Sequence, residues 1–547
     1  MVSKAVHPSA GVYPIETDMS TRATAAATSI VGVVGEASIG PVGVITDVFD
    51  NEDLRSNFGQ PNAQKYGFAL YCAAQALGQT KRLKFLRVVN KDALTAGAYF
   101  TVDDPAQNIP EIRVTVFDDG GNTPLGVYDP LNNLGFTADQ AGVERILAYF
   151  VASNPGEWND QLSIKIRPAC PAGVDISDER HYDPYKFYVD VYLNYKNANS
   201  RPVESFYVSR KYELDGDGNQ MFIEDAINLS SKYIRVKHNS FCGPVKIKKE
   251  AFEFIKGGSD GTRPTDAQII AAWEEFADAE IVDVNILCNA GYTIPAIQRK
   301  MVSISENRAD CLAVLDVPDK EYEAARAVNY SVNTLNVDSS YAALYAPFVQ
   351  IRDTYNDKYI FIPPSGHVCA AMAYTDHQRA VWFAPAGLAR GTIKITGIRT
   401  KYNQGARDAL DAAHINPIRN IPGRGYVIMG QETLQAFASA FSNINVRRLV
   451  NYVKKSIASA CTVENFNPND SYTRLSLVNI CGDFLRPIKQ GRGLYEFEAV
   501  CDSRNNVAAD IANGDLMLDV YLDPVIPAKR VHLTSHIMPT GTYFDEN

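Results

Sequence analysis

Two apolar runs bounded by turn residues, VDVNILCNAG (282–291) and ADCLAVLDVPD (309–319), are each followed at once by a helical pattern, IPAIQRKMVSISENR (294–308) and KEYEAARAVNYSV (320–332). Strands joined through helices of this length lie parallel, because the crossover returns the chain to the same end of the sheet. Such a sheet is covered by helices on both faces, so its strands read as continuous apolar runs rather than as alternation. The expected class over roughly 265–400 is therefore α/β.

The flanking zones differ. Residues 91–250 read as β-rich, with alternating runs EIRVTVFDD (111–119), LSIKIRPA (162–169) and YKFYVDVYLNY (185–195) between Gly, Asn, Asp and Pro clusters. Within that zone TADQAGVERILAYFVAS (137–153) carries a helical period. In 401–547, NVRRLVNYVKKSIASAC (445–461) predicts an amphipathic helix with Leu449, Tyr452, Val453 and Ile457 on one face and Arg447, Arg448, Lys454 and Lys455 away from it. Strand patterns follow at LYEFEAVCD (494–502), LMLDVYLD (516–523) and RVHLTSHIM (530–538).

A chain of 547 residues holds several domains, and its 46% hydrophobic and 21% charged content is ordinary for a globular protein. The net charge of -10, with no basic stripe, argues against nucleic-acid binding. No run of about eighteen uncharged apolar residues predicts a membrane span, and MVSKAVHPSAGVYPIETD lacks the apolar core of a secretory leader. The nine cysteines are scattered without a C-x-x-C pair, which suits buried thiols in a reducing compartment.

Candidate chemistries fail on spacing. TSIVGVVGEASIGPVG (28–43) places Gly32, Gly35, Gly40 and Gly43 outside the G-x-G-x-x-G dinucleotide pattern, and no G-x-x-x-x-G-K-[ST] occurs. A buried strand over 30–34 and a turn at Ser38–Pro41 is the better reading. DGDGN (215–219) opens like a calcium loop at Asp215, Asp217 and Asn219, but Gln220 and Ala226 stand where that loop needs Gly and Glu, so a hairpin turn is expected. HLTSH (532–536) lacks the Glu of a helical zinc motif, and on a strand its two histidines stand about 13 Å apart. PPSGHVC (363–369) brings Ser365, His367 and Cys369 together only in sequence, and reads as a turn before a helix at 368–382. The GRG triplets at 423–425 and 491–493 read as turns. No catalytic, cofactor-binding or metal-ligating residue is assigned.

The two ends are less easily absorbed by a plain globular domain. GVYPIETD (11–18) is an edge-strand pattern on a polar tether, MSTRATAAAT (19–28), and residues 529–547 leave as one more alternating strand. Val12, Tyr13, Ile15, Val531, Leu533 and Ile537 are the candidate residues of strands donated to neighbouring copies.

PSAGVYPIETD, TSIVGVVGEASIGPV leading to NFGQP (57–61), GEWNDQLSIKI (156–166), CLAVLDVP (311–318), SGHVCAAMAYTDHQRAVWFAPAG (365–387), INPIRNIPGRGYVIMGQETL (415–434), NVRRLVNYVKKSI and NPNDSYTR (467–474) come in this order. In that order the chain resembles the tail sheath proteins of contractile-tailed bacteriophages, over nearly its whole length and most weakly over 91–150. It departs where many sheaths read W-G-[AG]-R-T-L, having Met429-Gly430-Gln431-Glu432-Thr433-Leu434.

The resemblance implies a multidomain fold. An N-terminal arm (1–22) and a C-terminal arm (529–547) would be exchanged with neighbours, an α/β body (23–90 and 251–400) would carry a β-rich outer insertion (91–250), and 401–528 would form an inner core domain. It implies a structural subunit rather than an enzyme, without cofactor, stacked as hexameric rings around a tail tube. Partners would be the chain itself, the tube protein, and baseplate and tail terminator proteins, with no nucleic acid and no membrane insertion. The setting would be the virion tail, assembled in the host cytoplasm, and contraction would drive the tube through the host envelope. Arg447, Arg448, Lys454 and Lys455 are then possible tube-facing residues. Two other readings are the sheath of a headless injection device and a nucleotide-dependent α/β enzyme.

Overall fold

The computed structural model describes residues 26–104, 109–117, 131, 134–137, 143–169, 183–197, 200–247 and 249–530. The chain divides into two compact units, Ala27–Arg448 and a second comprising Met1–Ala26 with Leu449–Asn547.

The large unit begins with β1 (Val31–Gly35), β2 (Ile45–Val48), α1 (Asn51–Phe58), α2 (Ala63–Tyr66), α3 (Ala69–Leu77) and β3 (Leu83–Arg87). The chain then departs into β4 (Thr95–Asp104), β5 (Ile109–Phe117), β6 (Ile146–Ala152), β7 (Leu162–Pro168), β8 (Lys186–Leu193), β9 (Glu204–Ser209), α4 (Ile223–Asn228), β10 (Ile234–His238) and β11 (Ala251–Phe254). It returns through α5 (Asp266–Glu274), β12 (Ile286–Cys288), α6 (Pro295–Arg308), β13 (Leu312–Asp316), α7 (Ala324–Asn329) and β14 (Ala342–Ala346). After β15 (Val349–Asp353) and β16 (Lys358–Ile362) come α8 (Ser365–Gln378), β17 (Thr392–Ile393), β18 (Gly397–Ile398), α9 (Gln404–Ala412), β19 (Ile415–Ile421) and β20 (Gly425–Ile428).

Nine of these strands form one sheet in the order β17-β20-β19-β14-β13-β12-β1-β3-β2. Six run parallel, from β3 through β1, β12, β13 and β14 to β19, and the antiparallel β2 and β20 flank them. Two cores cover its faces: Val31 and Val33 of β1 point into one with α3 and α8, and Val34 into the other with α5 and α6. Burial on both faces is why these strands are apolar without alternation. Because β19 and β20 finish this sheet, residues 401–428 belong to it rather than to a separate C-terminal domain.

Glycines in the opening segment serve contact and turning. A Cβ on Gly35 would lie 2.0 Å from the Cβ of Ala69 on α3, and one on Gly32 would lie 2.9 Å from the Phe276 ring on the other face. Gly40 and Gly43 take φ of 108° and 68° in the turn beyond. Gly35→Ala is expected to cost about 1–3 kcal/mol in urea unfolding, the usual penalty of overpacking. Adding Ala69→Gly should recover part of that, since it removes the opposing methyl for at most about 1 kcal/mol of helix propensity. A double variant no better than the single one would show that the close approach is not the cause.

The insertion is a sandwich of two antiparallel four-stranded sheets, β10-β6-β4-β5 and β11-β7-β8-β9. Phe100, Leu147 and Phe150 of one sheet and Ile164, Phe187 and Val189 of the other fill one core. The helical period expected over 137–153 is corrected here: Ile146–Ala152 is a strand, while 138–142 lie outside the described residues. Its neighbours β10 and β4 hold it mid-sheet, and six of its seven residues are buried. Apolar residues on both faces erase the alternation that would have marked a strand. DGDGN is a turn as expected, with the Asp215 carboxylate accepting from the backbone N–H of Asp217 and Asn219 at 2.9 and 2.8 Å.

Entry and exit of the insertion lie side by side. Leu94 and Ser259 exchange both backbone hydrogen bonds, at 2.9 and 3.0 Å. Beneath this junction Arg87, fully buried at the end of β3, donates to the carbonyls of Ala37 and Gly40, each at 2.8 Å, of Pro155 at 3.0 Å and of Ser38 at 3.4 Å. Lys65 adds ion pairs to Glu157 and Asp260 at 2.5 and 2.8 Å, and Tyr66 a hydrogen bond to Asp260 at 2.8 Å.

In the second unit, α10 (Ile444–Cys461) contributes the part from Leu449 on. It is followed by α11 (Ser471–Gln490), β21 (Leu494–Val500), α12 (Ala508–Asn513) and β22 (Asp519–Pro524). The Asp470 carboxylate caps α11 by accepting from the N–H of Tyr472 and Thr473 at 3.0 and 2.9 Å. Leu477, Ile480, Cys481, Leu485 and Ile488 recur at helical spacing as the buried stripe of α11.

Candidate assembly surfaces

In a doubly wound sheet, ligands settle beyond the carboxyl ends of the parallel strands, where a helix N-terminus can hold a phosphate. Here that position is filled from within. Asp316, the last residue of β13, places its carboxylate at the N-terminus of α8. It accepts from the Ser365 N–H at 2.9 Å, the Ser365 hydroxyl at 2.7 Å, the Gly291 N–H at 3.1 Å and the Asn289 amide at 3.2 Å. Burial pushes its carboxyl up to about 7, with the nearby Cys288 thiol acting in the same sense and the bonds from the Ser365 hydroxyl, the Asn289 amide and the Ser365 N–H opposing.

This anchor also explains why α8 starts at Ser365 and not at 368. Asp316 satisfies the first helical N–H, and Pro364 before it needs no partner. Ser365 thus serves Asp316 and no triad. His367 is buried with neither ring nitrogen bonded, and burial lowers it to about 4. Cys369 meets Cys288, which also meets Cys72, in a fully buried thiol group. Among the described residues, no cluster of three or more His, Cys, Asp or Glu could hold a metal, and no helix is long and apolar enough to cross a membrane.

The four cations of α10 part company. Arg447 and Arg448 are only 6% and 4% exposed, which corrects the expectation that both point away from the apolar face toward a partner. Arg448 forks onto Asp376 of α8 with bonds of 2.9 and 2.6 Å, and also donates to the Thr28 carbonyl at 3.1 Å. Arg447 lies between the rings of Tyr341 and Phe441, 4.1 and 3.8 Å from their centroids, and bonds the Ser340 hydroxyl. Burial lowers its pKa. An amphipathic wheel cannot foresee this, because a guanidinium with an internal carboxylate or aromatic partner packs as core. Lys454 is exposed and Lys455 half-buried.

The second unit leaves strand edges open. β21 pairs antiparallel with β22, from Leu494 opposite Pro524 to Val500 opposite Asp519, and among the described residues neither strand has a second neighbour. A two-stranded ribbon is marginal by itself, and each outer edge carries unpaired backbone donors and acceptors. Tyr495 and Tyr521 stand exposed on it, and Val463, Phe466, Tyr472 and Leu475 are exposed on the loop and first turns of α11. The arm candidates Val12, Tyr13, Ile15, Val531, Leu533 and Ile537, like the HLTSH histidines, lie outside the described residues.

Sequence reading missed the Asp316 anchor, the Arg448–Asp376 pair and the thiol groups. Each joins residues far apart in the chain, and no local pattern signals such a meeting. The open ribbon could have been found, since the strand patterns at 494–502 and 516–523 are neighbours with no third strand between them.

These features describe a scaffold, and its fold is that of sheath proteins. A sheath tail protein of Listeria innocua superposes with a TM-score of 0.55 at 11% identity, over 92% of this chain and 96% of that one. The anti-feeding prophage helical sheath in its contracted state superposes with a TM-score of 0.50 at 14% identity, over 97% and 99%. Residues 263–434 match the phage tail sheath protein central domain, and 438–538 the phage tail sheath C-terminal domain. The chain belongs to the phage tail sheath family. It is 31% identical over 314 residues to the tail sheath protein of Enterobacteria phage T4, covering 53% of this chain and 48% of that protein. It spans about half the length of the curated phage relatives it matches.

Proposed function

We propose that this chain is the polymerising subunit of a phage contractile tail sheath. It stacks as hexameric rings around a tail tube between baseplate and terminator, and contracts to drive the tube through the host envelope. It is a virion component assembled in the host cytoplasm, and works by rearranging subunit contacts without catalysis or cofactor. The observation that carries this reading is the β21–β22 ribbon, which among the described residues has no third strand at either edge, in a sheath-family chain. Strands from neighbouring copies, Val12 to Glu16 and Val531 to Ile537, complete it by β-augmentation. Contacts of this head-to-tail kind do not close on themselves and generate helical lattices.

The filled N-terminus of α8 supports this reading over a nucleotide enzyme, because the Asp316 carboxyl already occupies the Ser365 and Gly291 N–H donors that a phosphate would need. Likeness to the anti-feeding prophage sheath favours, as a second reading, the sheath of a headless injection device. The insertion decorates the outside, and Lys454, exposed on α10, and Lys455, half-buried beside it, face an acidic tube surface.

Removing residues 1–18 is the test. The spacer 19–28 reaches at most about 36 Å when extended, at roughly 3.3–3.6 Å per residue, enough for an adjacent subunit only. The truncated chain should remain folded and monomeric where the full chain forms striated tubes in electron micrographs. Leu533→Pro should act likewise from the other end by deleting a ladder donor. If both variants still form tubes of normal length, strand exchange is not what joins the subunits.

A further inference from the structure

We infer that a pocket at one end of the nine-stranded sheet receives Arg424 of a second copy of this chain, whose β19–β20 turn projects from the opposite end of its own sheet. The inference rests on the polymer reading and names a contact for it besides the arms.

The pocket has a volume of about 330 Å³, with Glu306, Asp338, Ser340, Tyr341, Gln435 and Phe437 among its walls. Glu306 lies in the last turn of α6, ahead of β13, and Asp338 to Tyr341 lead into β14, so these residues stand at the amino ends of parallel strands. β20 runs back along β19, which returns Gln435 and Phe437 to the same end.

The chemistry of the walls is that of a guanidinium site. Among the described residues neither carboxylate has an ion-pair partner: the α6 cations Lys300 and Arg308 pair with Glu274 and Asp310, and Asp338 accepts the Ala436 N–H at 2.8 Å. The buried Arg447 donates to the Ser340 hydroxyl, and even with its charge counted the two carboxylates keep the pocket net negative. Phe437 is 72% exposed and offers an open ring face. The Gln435 amide nitrogen is already bonded to the Phe437 carbonyl and the Ser439 hydroxyl, which leaves its oxygen to accept. Carboxylates beside an aromatic ring suit the planar, multiply donating head of arginine.

At the other end, Ile421 to Gly425 form a tight turn, with the Arg424 N–H bonded to the Ile421 carbonyl at 2.9 Å and Gly423 and Gly425 at φ of 73° and 82°. Arg424 is exposed there, and because Ile393 stands opposite Tyr426, the exposed Lys394 lies beside the same turn. Among the described residues neither cation has a carboxylate partner. Arg424 does not reach its own pocket: Leu344 is level with Ile415, and from Tyr341 to the turn the sheet runs roughly 30 Å at about 3.3 Å per residue. Complementary charge at opposite ends of one sheet describes a head-to-tail contact, which adds copies without closing.

The experiment measures, for the full-length chain, the subunit concentration above which striated tubes sediment and are seen in electron micrographs. Arg424→Glu should raise that threshold about tenfold or more, since it sets like charges against each other. Arg424→Glu combined with Asp338→Arg should return it to within about threefold of the parent, because the charges are exchanged rather than removed. Both positions are exposed, and urea unfolding followed by tryptophan fluorescence checks that each variant is folded. Should the exchanged chain prove unfolded, Asp338→Asn, which keeps an acceptor for the Ala436 N–H, has to raise the threshold for the inference to stand. A threshold for Arg424→Glu within about twofold of the parent, or no recovery in a folded exchanged chain, would overturn this contact and leave the polymer reading in place. A parent chain that forms no tubes would overturn both.

Discussion

Replacing Arg87 by alanine is expected to lower the stability of the large unit by about 4 kcal/mol, the balance of two opposed effects. Four carbonyls, two in the turn after β1, one at Ser38 and one at Pro155 in the insertion, lose a charged donor. Each buried acceptor left bare costs about 1–3 kcal/mol. Against this stands relief of burying the guanidinium, whose pKa burial lowers to about 10, equivalent to about 3 kcal/mol. The Pro155 carbonyl keeps the Trp158 indole N–H at 3.3 Å, so three acceptors are left bare, and their loss outweighs the relief except at the very bottom of the range. Arg87→Lys should rescue little, because one ammonium cannot span carbonyls that a guanidinium fork reaches in several directions. The chain's three tryptophans, Trp158, Trp273 and Trp382, all lie in the large unit, so fluorescence in urea reads its unfolding alone. An Arg87→Ala midpoint equivalent to less than 1 kcal/mol of change would show that these carbonyls find other donors.

Arg448→Met should be comparably damaging for a different reason. Arg448 and Asp376 are each 4% exposed, so removing the cation strands a buried carboxylate and costs about 3–5 kcal/mol. Restoring neutrality with Asp376→Leu in the same chain should return most of that, because a desolvated ion pair contributes little net stability compared with well-packed apolar groups. The same fluorescence titration decides the matter. Additive losses from the two single variants in the double variant would show that the residues act separately.

How much of this was legible in the sequence depended on the range of the interaction. The βαβ units at 282–335, the helix at 444–461 and the strands at 494–500 and 519–524 follow from patterns a few residues long, and they stand nearly where expected. The opening glycines were read as packing and turn residues because their spacing forbids a phosphate loop, and Ala69 supplies the contact that spacing could not name. Ile146–Ala152 misled because a mid-sheet strand has two apolar faces. Arg447 and Arg448 misled because charge was equated with solvent, whereas Asp376 lies 72 residues from Arg448 in the chain and pattern reading has no access to it. The tube-facing assignment rested on family likeness from the outset, whereas the arm candidates were read from terminal strand patterns on tethers, and the deletion experiment is what bears on the arms.

The paired Leu94 and Ser259 have a consequence for how such chains diversify. Two residues that exchange both hydrogen bonds sit about 5.5 Å apart, so whatever polypeptide runs between them, the nine-stranded sheet encounters the same short gap. Lengthening, shortening or exchanging that module leaves the closure geometry unaltered, and the loop entropy rises only slowly with added length. The junction is therefore a natural splice point, where the inserted module can drift or be exchanged while the nine-stranded sheet stays under its own constraints.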